Sequence, residues 1–458
     1  MSSTFRAIPS VEAVLGELRG NGSWPHALAV DAARTAITRA REAVAAGSDA
    51  PDLATISAEA ETILTELARP SLRRLVNASG VILQTNLGRA PLSERAMAAM
   101  GEAARDYTNL EFDLDEGARG SRHEHVRDLL RRTTGAEDGL AVNNNAAALL
   151  MVLQVFARGR EVIVSRGEAV EIGGRFRIPD VLRESGARLV EVGTTNRTYV
   201  EDYANAITGE TAAILRVHRS NFQVTGFTAR PELGELAALA REHDVLLLDD
   251  LGSGCLVETA DYGVEHEPTV RESLAGGADL TLFSGDKLLG GPQCGLITGR
   301  GELVAAMRRH PLARALRVDK LAIAALNATL MAYVAGTERE EIPVWRMLAL
   351  KREQLEPRAR AWAEAAGDGG RVVESQTMIG GGAAPGTGQP TWCAALRAER
   401  GAEWLAGALR EADPPIVARV EAGELLLDPR TVAESDDEHV ATAIGVLLAG
   451  GASGASQS

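Results

Sequence analysis

The sequence predicts an α/β protein in which a mainly parallel sheet carries helices on both faces, between a helical N-terminal domain and a small α+β C-terminal domain. Three observations lead there. Between about residue 71 and residue 325, short apolar runs rich in β-formers alternate with helical patterns, as successive βαβ units require. Residues 1–70 contain only segments of helical period. Beyond residue 325, a long helical stretch and a glycine-rich loop lead to two short strands around a turn.

The elements follow in order. VEAVLGELRG, DAARTAITRAREAVAAG and DLATISAEAETILTELARP space their apolar residues for helices between Gly, Asp and Pro punctuation, and Pro70 closes this domain. In the central region GLAVN, EVIVS, RLVEV, AAILRV, VLLLDD and DLTLFSG read as strands. Each is followed by a polar cluster (NNN, SRGE, GTTN, HRSN, DDLGSG, SGDK), and ligands gather at the carboxyl ends of such strands. The last domain, 326–450, holds the loop IGGGAAPGTGQP, the strand pair in PPIVARVEAGELLLD and the helix EHVATAIGVLLAG, and residues 451–458 form a Gly/Ser tail expected to be disordered.

With 458 residues, 45% of them hydrophobic, the chain can bury more than one core. It contains no apolar run of about 18 residues and no signal-like start, so no membrane association and a cytoplasmic location are expected. Cys255, Cys294 and Cys393 are widely separated and lack metal-ligand spacing, so neither disulfides nor a bound metal are expected. A net charge of −15 excludes nucleic-acid binding through bulk charge and leaves only a local patch for it.

Three clusters carry chemistry. In LTLFSGDKLLGGPQCG, Lys287 follows a strand ending in Ser284 and precedes a glycine run. Small neighbours leave the lysine unobstructed, the Ser284 hydroxyl can bind phosphate, and desolvation eases loss of the proton, as a Schiff-base nucleophile requires. In VLLLDDLGSG an apolar strand runs into two carboxylates. Asp249 is the first choice to pair with a protonated pyridine nitrogen, the alternatives being a turn or a magnesium ligand. In GLAVNNNAAALLMVL a strand meets a helix start, where Asn144, Asn145 and Ala146 form a candidate phosphate cup. Plain helix capping explains the asparagines equally well in isolation. The order phosphate cup, aspartate, S-x-x-K resembles the aspartate-aminotransferase-like fold (fold type I) of enzymes that use pyridoxal 5'-phosphate.

Arginines add a fourth cluster: Arg89 in QTNLGRAPLS, Arg119 and Arg122 in DEGARGSRHEH, and Arg314 and Arg317 in HPLARALRVDK. The last two, three residues apart on an apparent helix start, would share a face and clamp a tetrahedral oxyanion. Each alone reads as a surface ion pair; together they suggest an anionic substrate beside the cofactor.

A closer resemblance rests on RRLVNASGVILQTNLGRAPLS, NLEFDLDEGARGSRHEHV, VNNNAAALL, VGTTNRTYVEDYANAI, LRVHRSNFQVTGF, LLLDDLGSG and FSGDKLLGGPQCGLI, which look like the L-seryl-tRNA(Sec) selenium transferases, the bacterial selenocysteine synthases. It covers nearly the whole chain. The resemblance implies conversion of L-seryl-tRNA(Sec) to L-selenocysteyl-tRNA(Sec) with selenophosphate, by elimination of water and addition of selenium to an aminoacrylyl intermediate. Carried over by position, Lys287 matches the family's cofactor lysine and Asp286 its neighbouring acid. Arg89, Arg314 and Arg317 match the arginines associated with selenophosphate, and Thr194 and Thr195 in VGTTN match hydroxyls near that pocket, although a polar turn after a strand is an equal reading. The resemblance also implies tRNA recognition by the N-terminal domain and a homodecamer, a pentamer of dimers with active sites at dimer interfaces. Residues 1–70 are not basic, since acids such as Glu12, Glu17, Glu59, Glu61 and Glu66 outnumber arginines such as Arg34, Arg39 and Arg41, so docking requires a restricted face. The competing readings are a pyridoxal-phosphate lyase acting on a free amino acid or sugar acid, and a non-catalytic tRNA-binding scaffold.

Overall fold

The computed structural model describes residues 7–21, 24–172, 176–219, 222, 224–383, 386 and 388–452. The chain divides between Leu75 and Val76 into two compact units. The first consists of the three expected helices, α1 (Val11–Asn21), α2 (His26–Ala45) and α3 (Leu53–Ala68). Along α2, Ala29, Ala32, Ala33, Ala36 and Ala40 recur at helical spacing and are buried with Val14, Leu18, Ile56 and Leu64. Small side chains at these positions let the helices approach closely. Asp52 starts α3 by accepting a hydrogen bond from Thr55 N at 2.8 Å.

The second unit is built on a seven-stranded sheet. Its strands are β1 (Asp138–Val142), β2 (Glu161–Ser165), β3 (Arg188–Val192), β4 (Thr211–Val217), β5 (Leu246–Gly252), β6 (Leu280–Ser284) and β7 (Gly295–Gly299). They lie in the order β1-β7-β6-β5-β4-β2-β3. β7 runs antiparallel to both its neighbours, and the other pairings are parallel. Alternation along each strand splits the core between the two faces. Val162, Val164, Leu215 and Leu248 pack with α4 (Asn145–Phe156). Their neighbours Ile163, Ile214 and Leu247 pack with Leu236 and Ala240 of α5 (Leu233–Glu242). Because both faces are covered, the inner strands read as unbroken apolar runs, which is why six of the seven were visible in the sequence.

The remaining layer is a five-stranded sheet in the order Arg419–Glu421, Glu424–Leu427, Gly388–Leu396, Gly370–Gly380 and Val81–Leu83. Trp362, Leu405, Leu409, Leu425, Leu427 and Ile444 form its core with the helices behind it. Two corrections follow. The helical unit runs to Leu75 rather than ending at residue 70, and everything from Val76 onward packs as one unit. A boundary at 325–326 would cut the helix Lys320–Ala335, and Val81–Leu83, far upstream of the other strands, forms an edge of the C-terminal sheet. The final helix extends to Ala452, and the rest of the expected tail, 453–458, lies outside the described residues. No helix among the described residues is long and apolar enough to cross a membrane.

Candidate active site

The carboxyl ends of β1, β4, β5 and β6 and the start of α4 surround a cavity of about 300 Å³, with Lys287, Asp250, Asn145, Ser284, His218 and Arg89 in its walls. Lys287 is 5% exposed. Burial, and then the charge of Arg89, pull its pKa below the usual lysine value, against the carboxylates of Asp250 and Asp286. Among the described residues its Nζ has no hydrogen-bond partner. The glycines around it are there for space. At Gly382, in the left-handed region at φ 104°, a Cβ would stand 2.5 Å from Lys287 Cε, so this turn lies directly on the lysine.

The acidic partner differs from expectation. Asp249 shares its sheet face with Leu247 and points away from the cavity, where Ser273 Oγ donates to its Oδ2 at 2.6 Å. Asp250, on the face of Leu248 and α4, lines the cavity and accepts from Asn145 Nδ2 at 2.8 Å. Burial pushes Asp250 up to about 6, with the Asn145 hydrogen bond and the Lys287 charge opposing the rise. A pair of adjacent carboxylates on a strand must straddle the sheet, so only one of them can face the ligand.

At the helix start, the Asn144 side chain caps α4 by accepting from Ala147 N at 2.9 Å. The Asn145 side chain is committed to Asp250. The backbone amides of Asn145 and Ala146, on the first turn, have no acceptor within the helix and open toward the cavity. Ser284 ends β6 at the same wall. Opposite stands Arg89, in the left-handed region at φ 62°, with Nη1 3.0 Å from Asp286 Oδ2, and Asp286 O accepts from Ala90 N at 3.2 Å. This pair ties the Arg89 segment to the lysine loop.

The remaining anticipated residues lie elsewhere. Arg314 and Arg317 do not share a helical face: the helix is only Leu312–Ala315, and Arg317 makes an antiparallel bridge with Val142. Both are exposed and outside the cavity, although Asn143 N donates to Leu316 O at 2.9 Å and so seats their segment beside the start of α4. Thr194 and Thr195 are exposed, and Thr194 Oγ1 closes a turn by donating to Arg197 O at 3.0 Å. Arg122 is buried in a structural role, donating to Val318 O at 2.6 Å and pairing with Glu111, and Arg119 is an exposed neighbour of that carboxylate.

Sequence reasoning missed His218. Its ring is in the cavity wall, its Nδ1 is buried without a partner among the described residues, and its backbone N donates to Asp250 O at 2.9 Å. Burial, with the charges of Arg230 and Lys287, pushes its pKa down to about 3, so the imidazole is neutral at pH 7. The only trace in the sequence was a polar cluster, HRSN, after an apolar run.

The L-seryl-tRNA selenium transferase (SelA) family model matches residues 75–433 of the chain. The chain belongs to this family. The L-seryl-tRNA(Sec) selenium transferase of Solidesulfovibrio magneticus is 46% identical over 461 residues, covering 97% of this chain and 98% of that protein. The Moorella thermoacetica enzyme of the same name is 49% identical over 413 residues, 88% of each chain. Among solved structures, D-glucosaminate-6-phosphate ammonia-lyase superposes with a TM-score of 0.60 at 24% identity, covering 83% of this chain and 97% of that one, a likeness of fold alone. A selenium transferase of this family is a pyridoxal-phosphate enzyme of the aspartate-aminotransferase-like fold type I, and it converts L-seryl-tRNA(Sec) to L-selenocysteyl-tRNA(Sec). The cavity fits that cofactor on its own evidence. Among the described residues it offers a buried lysine whose Nζ makes no hydrogen bond, a carboxylate on the ligand-facing side, helix-start amides with no acceptor within the helix, and two buried polar atoms without partners, Asn145 Oδ1 and His218 Nδ1.

Proposed function

We propose that the selenium transfer takes place in the Lys287 cavity, with selenophosphate as donor. The observation that carries this reading is the convergence on one cavity of Lys287, Asp250 and the first turn of α4. Lys287 would hold the cofactor covalently, the amides of Asn145 and Ala146 with the Ser284 hydroxyl would take its phosphate, and Asp250 would face its ring nitrogen. Once bound, the cofactor supplies the electron sink that lets serine lose its Cα proton and Cβ hydroxyl. A proton-poor Lys287 Nζ is suited to covalent attachment and, once freed, to carrying a proton. Neutral His218 adds a flat, uncharged wall. Asp286, held by Arg89 in the cavity wall beside Lys287, is the candidate acid for the departing hydroxyl. Thr194, Thr195, Arg314 and Arg317 remain candidates for the donor, reaching it across a dimer interface rather than from within one chain's cavity. The assembly is a cytoplasmic pentamer of dimers, with the α1–α3 unit meeting the tRNA.

Reconstitution tests the assignment of the cavity. Protein mixed with pyridoxal phosphate should develop the cofactor's visible absorbance band, and Lys287→Ala should abolish both the band and selenocysteyl-tRNA formation. A Lys287→Ala variant that retained the band and turnover would place the chemistry elsewhere.

A further inference from the structure

A second cavity, of about 390 Å³, adjoins the first and shares His218 with it. Its walls include Arg219, Phe222, Thr225, Arg230 and Pro268. The two arginines differ in how their charges are met. Arg230 Nε lies 2.7 Å from the buried carboxylate of Glu168. For Arg219, no carboxylate among the described residues comes within ion-pair distance. Among the described residues its guanidinium donates only through Nε, to the Gly167 carbonyl at 3.2 Å. The Gly167 backbone is the platform, because a Cβ there would stand 2.8 Å from Arg219 Nη2 and 2.6 Å from Thr195 O. Phe222 is 38% exposed on the same wall. A partly buried guanidinium with no carboxylate at ion-pair distance among the described residues, next to an accessible aromatic ring, is the chemistry that holds a phosphodiester and stacks a base.

The position of the cavity matters as much as its lining. The serine to be converted is esterified to the ribose of the last nucleotide, so once its Cα is at Lys287 the nucleoside must lie a few bonds away, in a space continuous with the cofactor cavity. We propose that this second cavity receives the 3′-terminal nucleotide of the charged tRNA, with its phosphate on Arg219 and its base against Phe222. The inference rests on the function proposed above. Glu265 and Glu267 also line the cavity, which confines the anion to the arginine side. The phosphate of the selenium donor is the other source of the same chemistry, but that small dianion has no use for an aromatic face.

Steady-state kinetics on the reconstituted enzyme separates the two sources. Arg219→Gln and Phe222→Ala should each raise the KM for seryl-tRNA(Sec) roughly tenfold, as loss of one phosphate contact or one stacked base predicts. The kcat, the KM for selenophosphate and the cofactor absorbance should stay as in the parent enzyme. Adenosine 5′-monophosphate should compete with seryl-tRNA(Sec), and both substitutions should weaken that competition, whereas inorganic phosphate alone should compete poorly. The inference is overturned if the substitutions act on the KM for selenophosphate, or if they leave the KM for seryl-tRNA(Sec) unchanged in an active enzyme. Phe222→Ala, at a partly exposed site, keeps the test open if Arg219→Gln fails to fold. A parent enzyme that makes no selenocysteyl-tRNA would instead remove the function on which the inference rests.

Discussion

Asp249 and Asp250 are adjacent, chemically identical and both buried, yet they face different layers of the protein. Asp250 sits where burial disfavours its charge and raises its pKa to about 6, against the Asn145 hydrogen bond and the Lys287 charge. The consequence for stability has a definite sign. An acid whose folded pKa lies above its unfolded value of 3.8 costs stability as pH rises from about 4 through 6, so the apoprotein is most favoured with Asp250 protonated. Asp250→Asn should therefore stabilise the apoprotein at pH 7 by up to about 3 kcal/mol, a gain that fades below pH 4 and is read from denaturant melts at several pH values. The same change should lower turnover on the order of a hundredfold or more, while Asp249→Asn, which keeps a hydrogen bond from Ser273, should cost far less activity. A larger loss from Asp249→Asn than from Asp250→Asn would return the role to Asp249. The placing of Lys287 at a strand end among small residues was legible in the sequence, because it depends on neighbours in the chain. The choice between the two aspartates was not, because it depends on which face of β5 meets α4.

At the scale of elements, β1 to β6 of the large sheet were readable from their apolar runs, and what escaped notice has a physical explanation. β7 is five residues with glycine at both ends, a poor strand signal, yet it is wedged between β1 and β6. The long strand Gly370–Gly380 is largely exposed or half-buried, which hides its period, while its partner Gly388–Leu396 is mostly buried, and Gly382 just beyond the first strand lies against Lys287. The arginine pair looked helical because a four-residue helix, Leu312–Ala315, leaves the same spacing as a longer one. Gly295 shows how tightly these elements are fitted, since a Cβ there would run into the backbone of Asn144 and Asn145 at the start of α4. Gly295→Ala should thus displace the helix start, costing about 1–3 kcal/mol in stability and weakening cofactor retention, which dialysis followed by absorbance would report. An alanine variant that held the cofactor like the parent would mean that the amides of Asn145 and Ala146 are not its phosphate site.

For the whole molecule, the order of a helical unit, a large α/β sheet and a smaller sheet was legible in composition and period, but the way the C-terminal sheet recruits Val81–Leu83 was not, because pairing across nearly three hundred residues leaves no local trace. The proposed decamer should appear in native mass spectrometry as ten copies of the chain; a stable dimer as the largest active species would remove the pentameric ring. The most direct test of the central claim, that this cavity is built for seryl-tRNA, offers the cofactor-loaded enzyme two substrates side by side. With selenophosphate present it should convert seryl-tRNA(Sec) to selenocysteyl-tRNA(Sec) and leave free serine untouched. Turnover of free serine or a sugar acid, with no selenocysteyl-tRNA formed, would contradict it.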